Sequence, residues 1–429
     1  MPPEEAGRDA RRGRGTIGSP RAVLALLTAL NLLNYLDRYV LSAVLPRLQE
    51  DLHLSHFFGG SLATVFLIGY FATSPVFGNL ADRVGDGGRK RLIAVGVAVW
   101  SIATVASGLV RSAASLVVAR ALVGVGEASY ATIAPTLIDD VTEAKRKGRA
   151  MAVFSAALPV GSAMGYVVGG AVEHSHGWRA AFFVAGGPGL LLALLCLLIA
   201  EPFRRSSAVP DALGAARTLW RVVGYRRAVL GYSAYTFAIG GFAYWAPTYL
   251  HVRYGLEPGV ASVRFGLVTV AGGLIGTLIG GWLGDALGTA RGKRLPGQGG
   301  DATGTDAAIA RGNLVVCALA AGLGAPLALA AIAAPSAGAF FTLLFPCEIA
   351  LFLLSGPVNV VLLRSVPGAL RASAMALAIF AIHLLGDLWS PPLLGFVADH
   401  APIALAMSMA PLAFAVAAIV WWRASARLT

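Results

Sequence analysis

Long apolar runs recur along this chain, separated by short polar segments. They fall at residues 22–48, 57–82, 91–110, 113–138, 149–172 and 178–200, then at 228–252, 262–287, 312–334, 338–364, 370–398 and 402–422. About 20 predominantly apolar residues in a helix cross the hydrocarbon core of a bilayer. Each run is therefore a candidate span, and the chain reads as an all-α membrane protein of about twelve transmembrane helices. Composition agrees: 57% of residues are hydrophobic and 13% charged, where a soluble domain carries about 25% charged residues. The 52 glycines suit helices that pack closely through small residues.

Positive charge decides orientation. With both termini cytosolic, 27 of the 34 Lys and Arg fall on the cytosolic side. Five (Arg47, Arg111, Arg179, Arg253 and Arg264) fall on the other, and Arg38 and Arg120 lie inside helices. In a soluble protein a net charge of +12 would point to nucleic acid; here it reports loop topology, and no nucleic-acid partner is expected. Residues 1–21 read as a disordered cytosolic tail with no cleavable signal, so the first helix is retained. Residues 22–200 form one six-helix half, 228–422 the other, and 423–429 a cytosolic tail. Between the halves, 201–227 is a Pro- and Arg-containing cytosolic linker, with 211–223 able to form an amphipathic helix on the membrane surface. The Gly-rich segment 288–311 is a second polar linker. Cys196, Cys317 and Cys347 lie in apolar runs and read as buried hydrophobes, not a disulfide framework. The Ala-, Gly- and Arg-rich composition points to a bacterial source and its inner membrane.

The halves look related. Gly78-Asn-Leu-Ala-Asp82 closes the second helix and Gly281-Trp-Leu-Gly-Asp285 the eighth. Parallel repeats of this kind are a transporter architecture, with the site at the repeat interface. Two six-helix halves around a central cavity are expected.

Charge inside the spans carries the function. Asp37 and Arg38 sit mid-helix in Asn31-Leu-Leu-Asn-Tyr-Leu-Asp-Arg-Tyr-Val-Leu-Ser-Ala-Val-Leu-Pro46, where each charge costs roughly 2.5–3.5 kcal/mol on insertion scales. In the fourth helix, Arg120 and Glu127 are two turns apart on one face. A buried acid can take and release a proton; an Arg stays charged and suits a phosphate or carboxylate. Asp37 and Glu127 are thus candidate proton carriers, and Arg38 or Arg120 candidate substrate-binding groups, with Asn34, Tyr35 and Tyr130 nearby. The same four charges could instead be only a network that holds the half together. Asn31, Asn34, Tyr35, Arg38 and Ser42 share a stripe, while Asp37 points about 100° away from Arg38. Arg38 would face the cavity and Asp37 a neighbouring helix.

Gly78-Asn-Leu-Ala-Asp-Arg-Val-Gly85, followed by Arg89-Lys90-Arg91, resembles the loop signature of the major facilitator superfamily. Gly78, Asp82, Arg83 and the repeat counterpart Asp285 are candidate gating residues, Asp82 latching one state shut. The spacing to the basic cluster departs from the compact form of that signature. A more specific resemblance is to the spinster family of major facilitators. Asn34-Tyr-Leu-Asp-Arg-Tyr39 is similar to its first-helix signature, Arg120 to Tyr130 with Ile133-Ala-Pro135 to its fourth, and His383-Leu-Leu-Gly-Asp387 with Ser390-Pro391 to its eleventh. Phe242-Ala-Tyr-Trp-Ala-Pro247 and Phe265-Gly-Leu-Val-Thr269 add to it, so the likeness runs from about Leu30 to Gly395. It implies a proton-linked transporter of a lysolipid or sphingoid phosphate. The functional residues it carries over are Asp37, Arg38, Arg120 and Glu127.

In the second half, His383 and Asp387 are one turn apart and can touch, either as a titrating or substrate-polar site or as a packing pair. Asn359 could line the cavity or bond another helix, and Glu348 is expected at the aqueous mouth. No metal site, cofactor or ATP-binding motif is expected, nor an enzyme: no P-loop, HExxH or GxSxG pattern occurs. Protons are the coupling ion. The function expected is secondary active transport of a lysolipid-like molecule by a monomer among membrane lipids. The alternatives are a proton-coupled exporter of drugs or other small solutes and, more distantly, a non-transporting receptor or scaffold.

Overall fold

The computed structural model describes residues 16–85, 87–202, 212–292 and 302–426. The parts of both tails, the 201–227 linker and the 288–311 segment beyond these lie outside the described residues.

The described chain is almost entirely helical. The first six helices are α1 (Pro20–Leu52), α2 (His56–Arg83), α3 (Gly88–Ser107), α4 (Ala113–Val141), α5 (Lys147–His176) and α6 (Trp178–Leu197). Next come the short α7 (Ala212–Arg221), then α8 (Val223–Tyr254), α9 (Pro258–Gly292), α10 (Ala302–Ile332), α11 (Ala337–Phe352) and α12 (Ser355–Arg364). The chain closes with α13 (Arg371–Ile382), α14 (Ser390–His400), α15 (Ile403–Met407) and α16 (Met409–Ser425). Among the described residues, ten helical stretches are long and apolar enough to cross a membrane, with α11–α12, α13–α14 and α15–α16 each counting as one. The 33-residue α1 and 32-residue α8 also exceed spanning length but are more polar.

Several boundaries follow from capping. Ser19 begins α1, its Oγ accepting from Ala22 N at 3.1 Å with Pro20 in the first turn. Ser112 and Ser336 cap α4 and α11 in the same way. Gly255 closes α8 in the left-handed region (φ 65°), where a glycine is unstrained.

The helices mostly outrun the apolar stretches that predict them. α8 starts at Val223, not 228, because backbone hydrogen bonding carries a helix past its apolar stretch into the charged interface, where Arg226 donates to the Trp220 carbonyl. The 338–364 run is two helices, interrupted at Leu353 and Leu354. The 370–398 run is broken too: a π-helical turn, His383–Asp387, precedes α14, whose first turn holds Pro391 and Pro392.

The chain forms two compact units. Among the described residues, the first comprises those within 16–54, 61–202 and 257–266; the second comprises those within 55–60, 212–256 and 267–426. The first unit therefore includes the start of α9, where Ser262 Oγ donates to the Ala43 carbonyl at 2.9 Å. The second includes the start of α2, where the His56 and Phe57 amides donate to the Asp399 carboxylate at 2.7 and 2.8 Å. Within the first unit, α5 lies close against α1 through Gly161 and Gly165. A Cβ at Gly165 would stand 2.7 Å from the Leu36 carbonyl oxygen and from Tyr39 Cβ. This backbone-to-backbone approach sets the depth at which α1 presents Asp37 and Arg38.

Candidate functional site

The first unit gathers both acid–Arg sets at one level, but pairs them across helices instead of along them. Arg38 Nε of α1 donates to Glu127 Oε2 of α4 at 2.7 Å. Arg120 Nη1 of α4 stands 3.9 Å from Asp37 Oδ1 of α1. Asp37 Oδ2 accepts a 2.6 Å hydrogen bond from Thr104 Oγ1 of α3. The helical phase explains the crossing: successive residues are about 100° apart, so Arg38 and Asp37 address different neighbours.

Burial separates the two pairs. The Asp37, Arg120 and Glu127 side chains are at most 2% exposed, whereas Arg38 is 21% exposed. The Arg38 guanidinium also lies 4.9 Å from the Phe66 ring centroid and 5.3 Å from those of Tyr35 and Tyr70. The Arg120 guanidinium is 5.4 Å from the centroid of the same Phe66 ring. A cation within about 6 Å of an aromatic centroid is attracted by its quadrupole, so Phe66 of α2 links both arginines. Gly124 lets α2 come this close to α4; a Cβ there would collide with the Phe66 carbonyl. Arg120 Nε and Nη1, Asp37 Oδ1, Glu127 Oε1 and Asn34 Nδ2 are buried polar atoms without a hydrogen-bond partner in the described structure. Such atoms are costly, and their clustering marks the place as more than packing.

Thr104, Phe66 and Tyr70 belong to this site, and sequence reasoning missed them. Nothing local distinguishes a Thr or Phe in an apolar helix; only the tertiary fold brings them to the charges. Tyr35 is half-buried beside Arg38. Asn34 is buried. Tyr130 is not beside Arg38: it is fully buried against Trp100, and its hydroxyl donates to the Leu27 carbonyl. Its place corrects the expectation that it stands beside the head group. Tyr130 lies about one turn beyond Glu127 on α4 and meets α1 at Leu27, about three turns before Arg38.

The remaining candidates lie elsewhere. Asp82 and Arg83 are exposed at the end of α2, with Gly78 one turn before them. The Asp285 side chain lies outside the described residues. In the second unit, His383 Nδ1 is 2.8 Å from Asp387 Oδ2 within the π-helical turn. There Leu388 N donates to the His383 carbonyl at 3.1 Å, the wider repeat that brings the two side chains together. Asn359 is exposed, and its amide donates to the Ser355 carbonyl one turn back. Glu348 is not at an aqueous mouth: it is buried, and Thr269 Oγ1 approaches its Oε1 at 3.4 Å. The α9 backbone at Gly272 packs on its Cβ, which closes it off from water. Among the described residues no group of acids, His and Cys is arranged to hold a metal ion.

Long helices in two units, with ion pairs buried mid-helix, define a membrane-transporter architecture. Residues 27–391 match the Major Facilitator Superfamily, and the chain belongs to it; it is a transporter, not an enzyme. Within the superfamily it is a member of the spinster family. It is 32% identical over 422 residues to "Probable sphingolipid transporter spinster homolog 2" of Arabidopsis thaliana, covering 89% of this chain and 82% of that one. It is 32% identical over 393 residues to "Protein spinster" of Drosophila melanogaster, of which it spans 61%. The fold matches that of a bacterial homologue of the human lysosomal transporter spinster, with a TM-score of 0.75 over 95% of both chains at 22% identity.

Proposed function

We propose that this chain is a proton-coupled secondary transporter of an amphiphilic lysolipid or sphingoid phosphate, working by alternating access. The observation that carries this reading is the Arg38–Glu127 pair: a buried acid holds the only partly exposed arginine of the cluster. An arginine in that position can be claimed by its own glutamate or by a substrate phosphate, but not fully by both. A proton on Glu127 ends the ion pair and leaves Arg38 to the phosphate. Loss of the proton returns Arg38 to Glu127 and releases the anion. Proton and anionic head group thereby favour each other's binding, the reciprocal linkage that coupling requires. The neighbouring rings of Tyr35, Phe66 and Tyr70 give the alkyl part of an amphiphile an apolar wall. The sphingolipid named for the Arabidopsis relative fits this chemistry. Asp82 and Arg83 at the α2 end, with Asp285 in the repeat, act as gating residues, and His383 and Asp387 as a second polar site. The charge asymmetry of the loops supports cytosolic termini, and the composition supports a bacterial inner membrane.

The test is flux of a lysosphingolipid phosphate into proteoliposomes under an imposed pH gradient. Wild type is expected to respond to the gradient, and Glu127→Gln to lose the response. Gradient-driven flux that is unchanged in both Glu127→Gln and Asp37→Asn refutes the reading.

A further inference from the structure

The linker helix α7 ends one residue before α8, and Val222 between them is extended (φ −72°, ψ 104°). α7 therefore turns away from α8 at its first turn, where Arg226 and Arg227 stand. Leu219 is fully buried and anchors α7, while Tyr225 of α8 donates to the Ala374 carbonyl of α13 at 2.6 Å. α7, α8 and α13 together border an open surface groove of about 450 Å³, lined by Ala216, Arg217, Trp220, Arg221, Arg226 and Leu377. Arg217 and Arg221 are one turn apart on the same helix face, and Arg226 Nη1 approaches the Trp220 carbonyl at 3.5 Å.

Three guanidinium groups thus line one small groove, and no acidic side chain lines it among the described residues. An anion shared by the three would relieve their mutual repulsion. The pattern differs elsewhere in this unit: Arg364 and Arg371 both pair with Asp306, at 2.5 and 2.7 Å. The groove is not purely ionic either. Trp220 is 36% exposed beside the arginines, and Leu377 supplies an apolar wall. Indole and guanidinium side by side suit the head-group layer of a membrane. A free inorganic anion would use the arginines and leave Trp220 and Leu377 without a role.

We propose that this groove holds the phosphate head group of an anionic membrane phospholipid. Arg217, Arg221 and Arg226 contact the phosphate oxygens, and the upper acyl chain lies on Trp220 and Leu377. The bound lipid fastens the linker helix to the membrane face of the second unit. A basic side chain at an anionic membrane surface is worth about fivefold in binding. Removing two arginines is then expected to weaken lipid binding by about 25-fold.

Native mass spectrometry of the full-length protein, titrated with phosphatidylglycerol in detergent, reads this directly. Arg217→Gln/Arg221→Gln should lose phosphatidylglycerol adducts by that factor, while Arg217→Lys/Arg221→Lys keeps most of them. Phosphatidylcholine should bind no better to wild type than to the Gln variant. Soluble glycerol phosphate should fail to displace the lipid. Unchanged adducts in a folded Gln variant, or displacement by glycerol phosphate at equal concentration, overturns the proposal, the latter in favour of a free-anion site. If the Gln variant does not fold, Trp220→Ala decides: loss of adducts supports the lipid, and full retention overturns it.

Discussion

A double-mutant cycle on Arg38 and Glu127 tests the centre of the first unit. Glu127→Gln keeps the shape of the side chain and removes its charge, leaving Arg38 without its ionic partner. With the charge centres about 4 Å apart, an effective dielectric constant of about 20 gives an attraction of about 4 kcal/mol. Arg38 is 21% exposed, and its aromatic neighbours retain part of its stabilisation. The expected coupling is therefore about 2–3 kcal/mol, inside the range measured for close charge pairs at other sites. Each single variant leaves one charge unpaired, at a cost of about 3 kcal/mol. The double variant Arg38→Gln/Glu127→Gln removes both charges and should be less destabilised than the sum of the singles by the coupling. Reversible unfolding in mixed micelles measures all four proteins. For Asp37 and Arg120, whose nearest atoms are 3.9 Å apart with no direct hydrogen bond, the same cycle should give a smaller coupling, about 1–2 kcal/mol. If the Arg38–Glu127 cycle closes to within about 0.5 kcal/mol, the two residues act independently and the ion pair is not what organises the site.

Two further outcomes follow from contacts away from that pair. Tyr130→Phe removes the hydroxyl that donates to the Leu27 carbonyl and should cost about 1 kcal/mol of stability with no change in apparent substrate affinity; a raised KM for lysolipid would put Tyr130 back at the substrate. Asp51, beyond the apolar part of α1, is held below the usual carboxylate range by hydrogen bonds from Arg179, at 2.5 Å, and from the Trp178 indole. A depressed carboxylate contributes stability above its unfolded pKa and loses it as pH falls through the folded value. Melting temperatures from pH 6 down to about pH 3 should therefore fall less steeply for Asp51→Asn than for wild type, and parallel curves would refute this.

Much of the architecture was legible in the sequence because hydrocarbon admits few residue types. Spans announce themselves by length and apolarity, and mid-span charges stand out by their cost. Asp37, Arg38, Arg120 and Glu127 were found in this way, and the structure brings all four together. Thr104, Phe66 and Tyr70 were not legible. A Thr or Phe is at home anywhere in a membrane helix, and only the approach of α2 and α3 to the charges makes these three part of the site. Helix ends were blurred for a related reason. Hydrogen bonding carries a helix past its apolar stretch, as at Val223, whereas the breaks at Leu353–Leu354 and His383–Asp387 lie inside apolar runs, where hydropathy has no contrast. Glu348 was misplaced because a residue's depth along a helix does not fix which way it faces, and Tyr130 because its partner on α1, Leu27, lies about three turns before Arg38.

The crossed pairing has a consequence that paired charges along one helix would not have. Had Arg38 been held by Asp37 and Arg120 by Glu127, a proton on either acid would have freed an arginine of the same helix and left α1 and α4 unconnected by charge. As arranged, each pair joins α1 to α4, and the two differ in access. Asp37 and Arg120 are at most 2% exposed, and Thr104 adds a third helix to them. Of the four, Arg38 alone is partly exposed. On the proposed reading the division of labour follows. Asp37 and Arg120 keep the helices registered throughout the cycle, while Glu127 can give up its hold on Arg38 without unfastening them. Asp37→Asn should then damage stability and transport together, because it strands Arg120 as a buried cation. Glu127→Gln should spare binding of the anionic lipid, since Arg38 is already released, and abolish its dependence on pH. A Glu127→Gln protein whose lysolipid binding still changes with pH would place the proton on another group.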